Sequence, residues 1–295
     1  MRVTFNTVRD GLNSINTASE QFSEAQWQVS TGLRVRVPSD DPAAAQHAII
    51  DQATIDQMDL YKSASDSAAA KVTAMDSALT NIIEKITDAL VALQSSLGTT
   101  ATQTVRDEAA TSLEGIRDAI AADINGSFGG MRLFSGTNSS VDAYVKQAGV
   151  WTYQGTNTSM AVDISENRSV TIATDGESIL KGSDATDLLS TLDSLAAAAR
   201  SNNTATLNAG VALINNAFTR ATRAQSLIGN DETTLDDTNQ RIVDLRLSAK
   251  ARLSADRDAN MAEAITRMTK AQNTYQAALG AVAAASKVSL LDYIK

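Results

Sequence analysis

The chain has no cysteine, only two prolines and 4% aromatic residues, and no run of apolar residues reaches the length of a membrane span. Without cysteine there is neither a disulfide framework nor a thiolate metal site. With prolines only at Pro38 and Pro42, more than 250 residues contain nothing that forces a helix to stop. Few aromatics leave alanine to dominate the 43% apolar fraction. Alanine forms helix well but buries little surface, which suits long, closely packed helices. The charge balance lacks a basic surplus: 25 Lys and Arg face 34 Asp and Glu, a formal net charge of −9. Phosphate binding needs the opposite sign, so nucleic acid is not an expected partner. No window approaches 18 consecutive apolar residues, so no membrane partner is expected either. The start, Met1-Arg2-Val3-Thr4-Phe5-Asn6, has no apolar stretch of the kind a cleavable signal carries.

What the chain does have is the same pattern at both ends. Val8, Leu12, Ile15, Ser19, Phe22, Gln26, Val29 and Leu33 recur at alternating steps of four and three. Met261, Ile265, Met268, Gln272, Tyr275, Leu279, Val282 and Ser286 repeat it near the C-terminus. Such heptad seams belong to helices that pack along their length. The N-terminal helix is predicted over residues 1–36, followed by a break at Val37-Pro38-Ser39-Asp40-Asp41-Pro42. Asp41 fits an N-cap and Pro42 the first helical position. From there one helix can run to about Leu97 on the seam Met75, Leu79, Ile82, Ile86, Leu90 and Leu93. A turn at Gly98-Thr99-Thr100 and a helix from about Val105 to Ile124 follow, stopped by Asn125-Gly126.

Beyond residue 128 the alanine runs give way to glycine, serine and threonine. Short alternating stretches at 151–153, 161–164 and 169–172 predict a small β-rich insertion. Helix returns at Asp184–Arg200 and again from Leu207 through Leu253. The fold class expected is mainly α: an elongated, nested antiparallel helical bundle or coiled coil with its terminal helices paired, and one small β-rich domain inserted mid-sequence. The expected segments are an assembly helix and connecting loop over 1–41, rod helices over 42–128 and the β-rich domain over 129–183. A short helix and linker over 184–202, a returning rod helix over 203–256 and a C-terminal assembly helix over 257–295 complete them.

Chemistry-bearing residues are sparse. His47 is the single histidine and has no partners for a dyad or a zinc site. Asp40 and Asp41 resemble a carboxylate pair, but beside Pro42 they read as helix caps. Trp151 and Tyr153 could form a sugar platform, but a small β domain needs such rings for its own core. Asn138, Asn157, Asn167 and Asn202 head N-x-Ser/Thr triplets without further context. No P-loop, dinucleotide fingerprint, H-E-x-x-H or nucleophile elbow occurs. The expectation is a protein that is not an enzyme and uses no cofactor or metal. A hydrolase on a helical scaffold and a virulence-secretion tip or translocon component are the alternatives from other classes.

Residues 27–45, WQVSTGLRVRVPSDDPAAA, are similar to the flagellin-type motif LSSGxRIxxAxDDPAG. Asp258-Ala259-Asn260-Met261-Ala262-Glu263-Ala264 resembles the DxDxAxE start of the last flagellin helix. The chain therefore resembles the bacterial flagellin superfamily. Within it, three features resemble the hook-associated branch: Met131–Thr137 (MRLFSGT, against YLFSGT), Trp151–Gly155 (against WxYxG), and the closing Leu291-Asp292-Tyr293 (against LLDYL). Ala44, Met131 and Leu180 depart from the residues usual at their positions. The resemblance implies a structural adaptor joining hook to filament, secreted through the flagellar type III export apparatus to the distal end of the hook. It implies as partners copies of itself in a ring, the preceding hook-associated junction protein, flagellin and an export chaperone. A filament-forming flagellin is the alternative.

The residues expected at the assembly interface are Val8, Leu12, Ile15, Phe22, Val29, Leu33, Met261, Ile265, Met268, Tyr275, Leu279, Val282, Leu290 and Leu291. Arg34, Arg36, Asp40, Asp41 and Pro42 form the connecting-loop motif, in which the arginines pair with the aspartates. Energetics suggest why the ends assemble. Six buried apolar residues per helix contribute about 10 kcal/mol gross, against an ordering cost of about 1–2 kcal/mol per residue. Such a helix gains order only when several surfaces are covered together.

Overall fold

A computed structural model describes the backbone of residues 2–98 and 101–293, and the side chains of 9–98 and 101–284. Its elements are α1 (Arg2–Thr31), α2 (Pro42–Leu97), α3 (Gln103–Ile124), β1 (Ser127–Phe128), β2 (Met131–Arg132), β3 (Tyr144–Gln147), β4 (Val150–Tyr153), β5 (Met160–Ser165), β6 (Arg168–Ala173), α4 (Gly176–Leu180), α5 (Leu188–Arg200), α6 (Thr204–Arg257) and α7 (Met261–Tyr293). Two compact units result. Unit 1 contains Met1–Gln57 and Asp244–Lys295, and unit 2 contains Met58–Val243.

Unit 2 owes its core to the seam expected on α2. Met75, Leu79, Ile82, Ile86 and Leu93 of that seam, and Val72 before it, are at most 1% exposed, and Leu90 is half-buried. Leu113, Ile120 and Ile124 of α3, Leu189, Leu192 and Leu195 of α5, and Leu207 and Ile214 of α6 join them in one cluster. Helix starts follow the capping rule: Thr102 accepts from the Val105 amide at 3.3 Å, and Asp187 accepts from the Ser190 amide at 2.9 Å. Polar residues interrupt this apolar pattern at Ser65, Lys71, Ser96 and Ser135, among others. Lys71 is 3% exposed and its Nζ has no hydrogen-bond partner among the described residues. Burial lowers its pKa below the ordinary lysine value.

The β region is three separate antiparallel hairpins, β1–β2, β3–β4 and β5–β6, and not one continuous sheet. The β3–β4 hairpin packs on α5, and β5–β6 reaches α6, where Arg168 donates to Thr238 at 3.4 Å. Phe134 of the MRLFSGT segment is fully buried, and Gly136 follows it with φ +64°. A Cβ there would lie 2.1 Å from the Thr156 carbonyl oxygen, so the motif needs glycine for both conformation and space. The alternation in the sequence predicts β4, β5 and β6 but neither the two-residue β1 and β2 nor β3, whose Tyr-Val-Lys-Gln carries little alternation. The sequence also predicts a first helix that reaches residue 36. That helix stops at Thr31 because Gly32, at φ +72°, takes the left-handed C-terminal position.

Candidate functional site: the terminal helix pair and its connecting loop

In unit 1, α1 and α7 run antiparallel and pack along their length. The Phe22 and Tyr275 rings stack with centroids 6.4 Å apart and planes within 5°. Further along, a Cβ on Gly11 would come within 2.8 Å of Val282 Cγ2, so the backbones approach closely there. A series of buried and half-buried positions runs along α1 at Gly11, Ile15, Ala18, Phe22, Ala25 and Val29, with Ser19, Trp27 and Gln28 also out of full exposure, and another runs along α7 at Ala264, Met268, Ala271, Tyr275, Ala278 and Val282. Both series step four, three, four. Each alternates a small residue with a large one, so rings and branched chains of one helix fill the space over the small residues of the other.

This arrangement divides the interface expected from the sequence. Ile15, Phe22, Val29, Met268, Tyr275 and Val282 face the partner helix. Leu12, Met261, Ile265 and Leu279 do not: they are 51%, 42%, 48% and 42% exposed. Leu33 leaves the helix and joins the connecting loop, where it bridges Asp258. The side chains of Val8, Leu290 and Leu291 lie outside the described residues. The small residues Gly11, Ala18, Ala25, Ala264, Ala271 and Ala278 keep the same seven-residue spacing, but their low hydrophobicity gives no apolar signal of it in the sequence.

The pair then presents two unlike faces. One residue further round each helix from the seam stand Leu12, Asn16, Ser19, Ser23, Gln26 and Ser30, and Ile265, Thr269, Gln272, Gln276, Leu279 and Ala283. Antiparallel geometry puts both rows on the same side, and not one of these residues is charged. On the opposite side Gln21, Glu24 and Gln28 line a groove with Arg267, Lys270 and Thr274.

The connecting loop ties the two ends of the chain together. The Arg34 amide donates to the Arg257 carbonyl at 2.7 Å, and the Ala259 amide donates to the Gly32 carbonyl at 2.8 Å. The Arg34 side chain donates to Asp41 Oδ2 at 2.9 Å and to the Asp256 carbonyl at 2.6 Å. Asp41 Oδ1 accepts from the Ala44 amide at 3.1 Å, capping α2, with Pro42 as its first residue. That amide and then Arg34 hold the Asp41 carboxyl below its ordinary pKa. Asp40 instead closes the loop, accepting from the Arg36 and Val37 amides at 3.0 and 2.9 Å. Among the described residues the Arg36 guanidinium pairs with no aspartate. It lies over the Trp27 ring, 5.9 Å from the centroid. Asn260 caps α7 through the Ala262 amide at 3.1 Å. His47 sits 3.4 Å from Asp256 on the surface.

Beneath the loop lies an apolar groove of about 550 Å³, lined by Trp27, Val35, Val37, Ala48, Ile49 and Ala53. Chemically the site offers apolar surface, capped helix ends and satisfied ion pairs. Among the described residues no group of three His, Cys, Asp or Glu could hold a metal. No helix among them is long and apolar enough to cross a membrane.

Two family models match. The bacterial flagellin N-terminal helical region covers residues 6–139, and the bacterial flagellin C-terminal helical region covers residues 211–294. The chain is 29% identical over 163 residues to flagellar hook-associated protein 3 of Escherichia coli, covering 53% of this chain and 51% of that one. The Salmonella typhimurium protein of the same name is 30% identical over 163 residues, with the same coverage. The chain thus spans about half the length of the curated relatives it matches. The fold is shared with a flagellar hook-associated protein of Vibrio parahaemolyticus, at TM-score 0.70 and 20% identity over 74% of this chain and 100% of that one. It is shared also with hook-associated protein 3 of Legionella pneumophila, at TM-score 0.64 and 11% identity over 70% and 98%. With both helical regions in place at its two ends, the chain belongs to the bacterial flagellin superfamily, and within it is similar to the hook-associated protein 3 members.

Proposed function

We propose that this protein is a structural, non-enzymatic adaptor of the bacterial flagellum that joins hook to filament and assembles through its terminal helix pair. The observation that carries the assembly is the charge-free face of α1 and α7. A surface that meets its own copy must not repel itself, and a row without charge satisfies that at every position. Leu12, Met261, Ile265 and Leu279 supply the apolar area on that face or at its end, and Gln26 and Gln272 supply amides that can pair across copies. Unit 1 as a whole carries 12 Lys and Arg against 12 Asp and Glu, whereas unit 2 carries 13 against 22. The entire net charge of −9 therefore belongs to unit 2, and the neutral unit is the one suited to association.

In this reading copies form a ring at the distal end of the hook. Each follows a hook-associated junction protein and precedes flagellin, after secretion with the help of an export chaperone. The similarity to hook-associated protein 3 supports the junction role over a filament-forming flagellin. Deleting the gene tests it. Hooks without filaments, with flagellin released into the medium, are expected; full-length filaments on the deletion strain overturn it. Leu12→Asp with Ile265→Asp is expected to reproduce the deletion while leaving the helical content of the purified chain unchanged.

A further inference from the structure

A cluster of charged side chains in unit 2 plays no part in the surface described above. Asp193, on α5, receives donors from three other elements. Arg117 of α3 donates through Nη1 to Oδ1. Lys146 of β3 donates to Oδ2 at 2.8 Å, and Trp151 Nε1 of β4 donates to the same oxygen at 3.2 Å. Lys146 and Trp151 are direct cross-strand partners in the β3–β4 hairpin. The Lys146 ammonium also lies 5.4 Å from the Trp151 ring centroid. One carboxylate thus gathers both strands of the hairpin.

The base of the hairpin is held in another way. The Asn125 side chain at the end of α3 donates to the Tyr144 carbonyl at 2.7 Å and accepts from the Tyr144 amide at 2.8 Å. These two bonds imitate a neighbouring strand. The Tyr144 and Tyr153 rings pack at 5.4 Å beside them, and Tyr144 is 2% exposed. Beyond this fixed base, the outer part of the hairpin carries Lys146, exposed Val150 and half-buried Trp151. Among the described residues, the polar ties of Lys146 and Trp151 to the helices end on Asp193. An isolated two-stranded hairpin is only marginally stable in water, so this tether decides whether the outer half stays down.

We propose that β3–β4 is a hinged strap, pivoting at Tyr144 and Tyr153 and latched to the helices by Asp193. Acid opens the latch. Burial raises the Asp193 carboxyl's affinity for a proton, but the hydrogen bonds from Lys146 and Arg117 outweigh it, and its pKa lies below the ordinary aspartate value. A carboxyl lowered on folding contributes stability above its unfolded pKa and loses it as pH falls through its folded one. The latch is therefore closed at neutral pH and opens below the ordinary carboxylate range. The other charged groups around it are Asp118, paired with Arg117, and Glu114, paired with Arg200. Glu114 has a lowered pKa from its Arg200 hydrogen bond and titrates in the same acid region, so pH alone cannot separate the two.

Substitution can. In the full-length chain at neutral pH, Asp193→Asn is expected to speed amide exchange over residues 145–152 by about tenfold or more, with exchange over Leu113–Ile120 unchanged. Lys146→Met should give a smaller change in the same segment. With Trp27→Phe as background, Trp151 emission should shift to the red in Asp193→Asn and stop responding to acid. Unchanged exchange over 145–152 in Asp193→Asn overturns the latch. So does a uniform loosening of α3 and α5, which would make Asp193 a general core residue.

Discussion

The two units bury their apolar residues to different ends. Unit 2 hides Met75, Leu79, Ile82, Leu113 and Ile120 completely, and surrounds that core with all of the net negative charge. Unit 1 gives every second position of its helix seam to glycine or alanine, and leaves Leu12, Ile265 and Leu279 about half exposed on a face without charge. A seam of small residues lets two backbones approach but removes little apolar area from water. Unit 2 encloses a large apolar core, whereas unit 1 closes on a thinner seam and, in the proposed function, meets other copies along its charge-free face.

The largest effect that would test this contrast is in the unit 2 core. Leu113→Ala should lower the stability of unit 2 by about 2–5 kcal/mol, read by thermal or denaturant unfolding. Leu12→Ala removes a side chain of the same size and should change the unfolding of the isolated chain by less than about 0.5 kcal/mol, while weakening self-association in sedimentation. If both variants unfold alike, the contrast between the units fails.

A smaller effect is expected from overfilling the seam. Ala18→Leu puts a branched chain where α7 passes closely, and should cost about 1–3 kcal/mol and raise amide exchange along α1 and α7 together. Exchange that rises in α1 alone would mean that the helices are not held by this seam.

Lys71 offers a gain instead of a loss. Lys71→Met removes an unpartnered ammonium from the helix core, and should stabilise unit 2 by about 1–3 kcal/mol. In the parent chain the lowered Lys71 pKa means that the unfolded state binds more protons between the folded and ordinary lysine values. Stability should therefore rise with pH through that window and stay flat in Lys71→Met.

The smallest and most local effect belongs to the loop. Asp41→Asn keeps a cap for the Ala44 amide but weakens the pair with Arg34. It should speed exchange in the first turn of α2, and the same change should appear in the parent chain at a pH below the ordinary carboxylate range, where Asp41 protonates. An unaltered first turn would show that the backbone bonds to Arg257 and Ala259 hold the loop unaided.

Local signals read well from the residues. Pro42 after Asp41 marked the start of α2, the absence of proline let it run to Leu97, and the spacing from Met75 to Leu93 named its buried stripe. Those features depend on backbone preference and period, which neighbouring residues carry in full. At the ends the period was legible but the phase was not. Ala18 and Leu12 stand on adjacent stripes, and hydrophobicity favours leucine for the inside. The structure puts alanine there, because two helices that pack this closely leave no room for leucine. Asp193 lay beyond reach for a different reason: its donors stand 76, 47 and 42 residues away, and nothing local brings them to one carboxylate. The sequence by itself determined where helices start and stop and which segments share a seven-residue rhythm, since both follow from near neighbours. Only the tertiary structure decided which stripe turns inward and which charges converge, because those depend on how closely distant backbones approach.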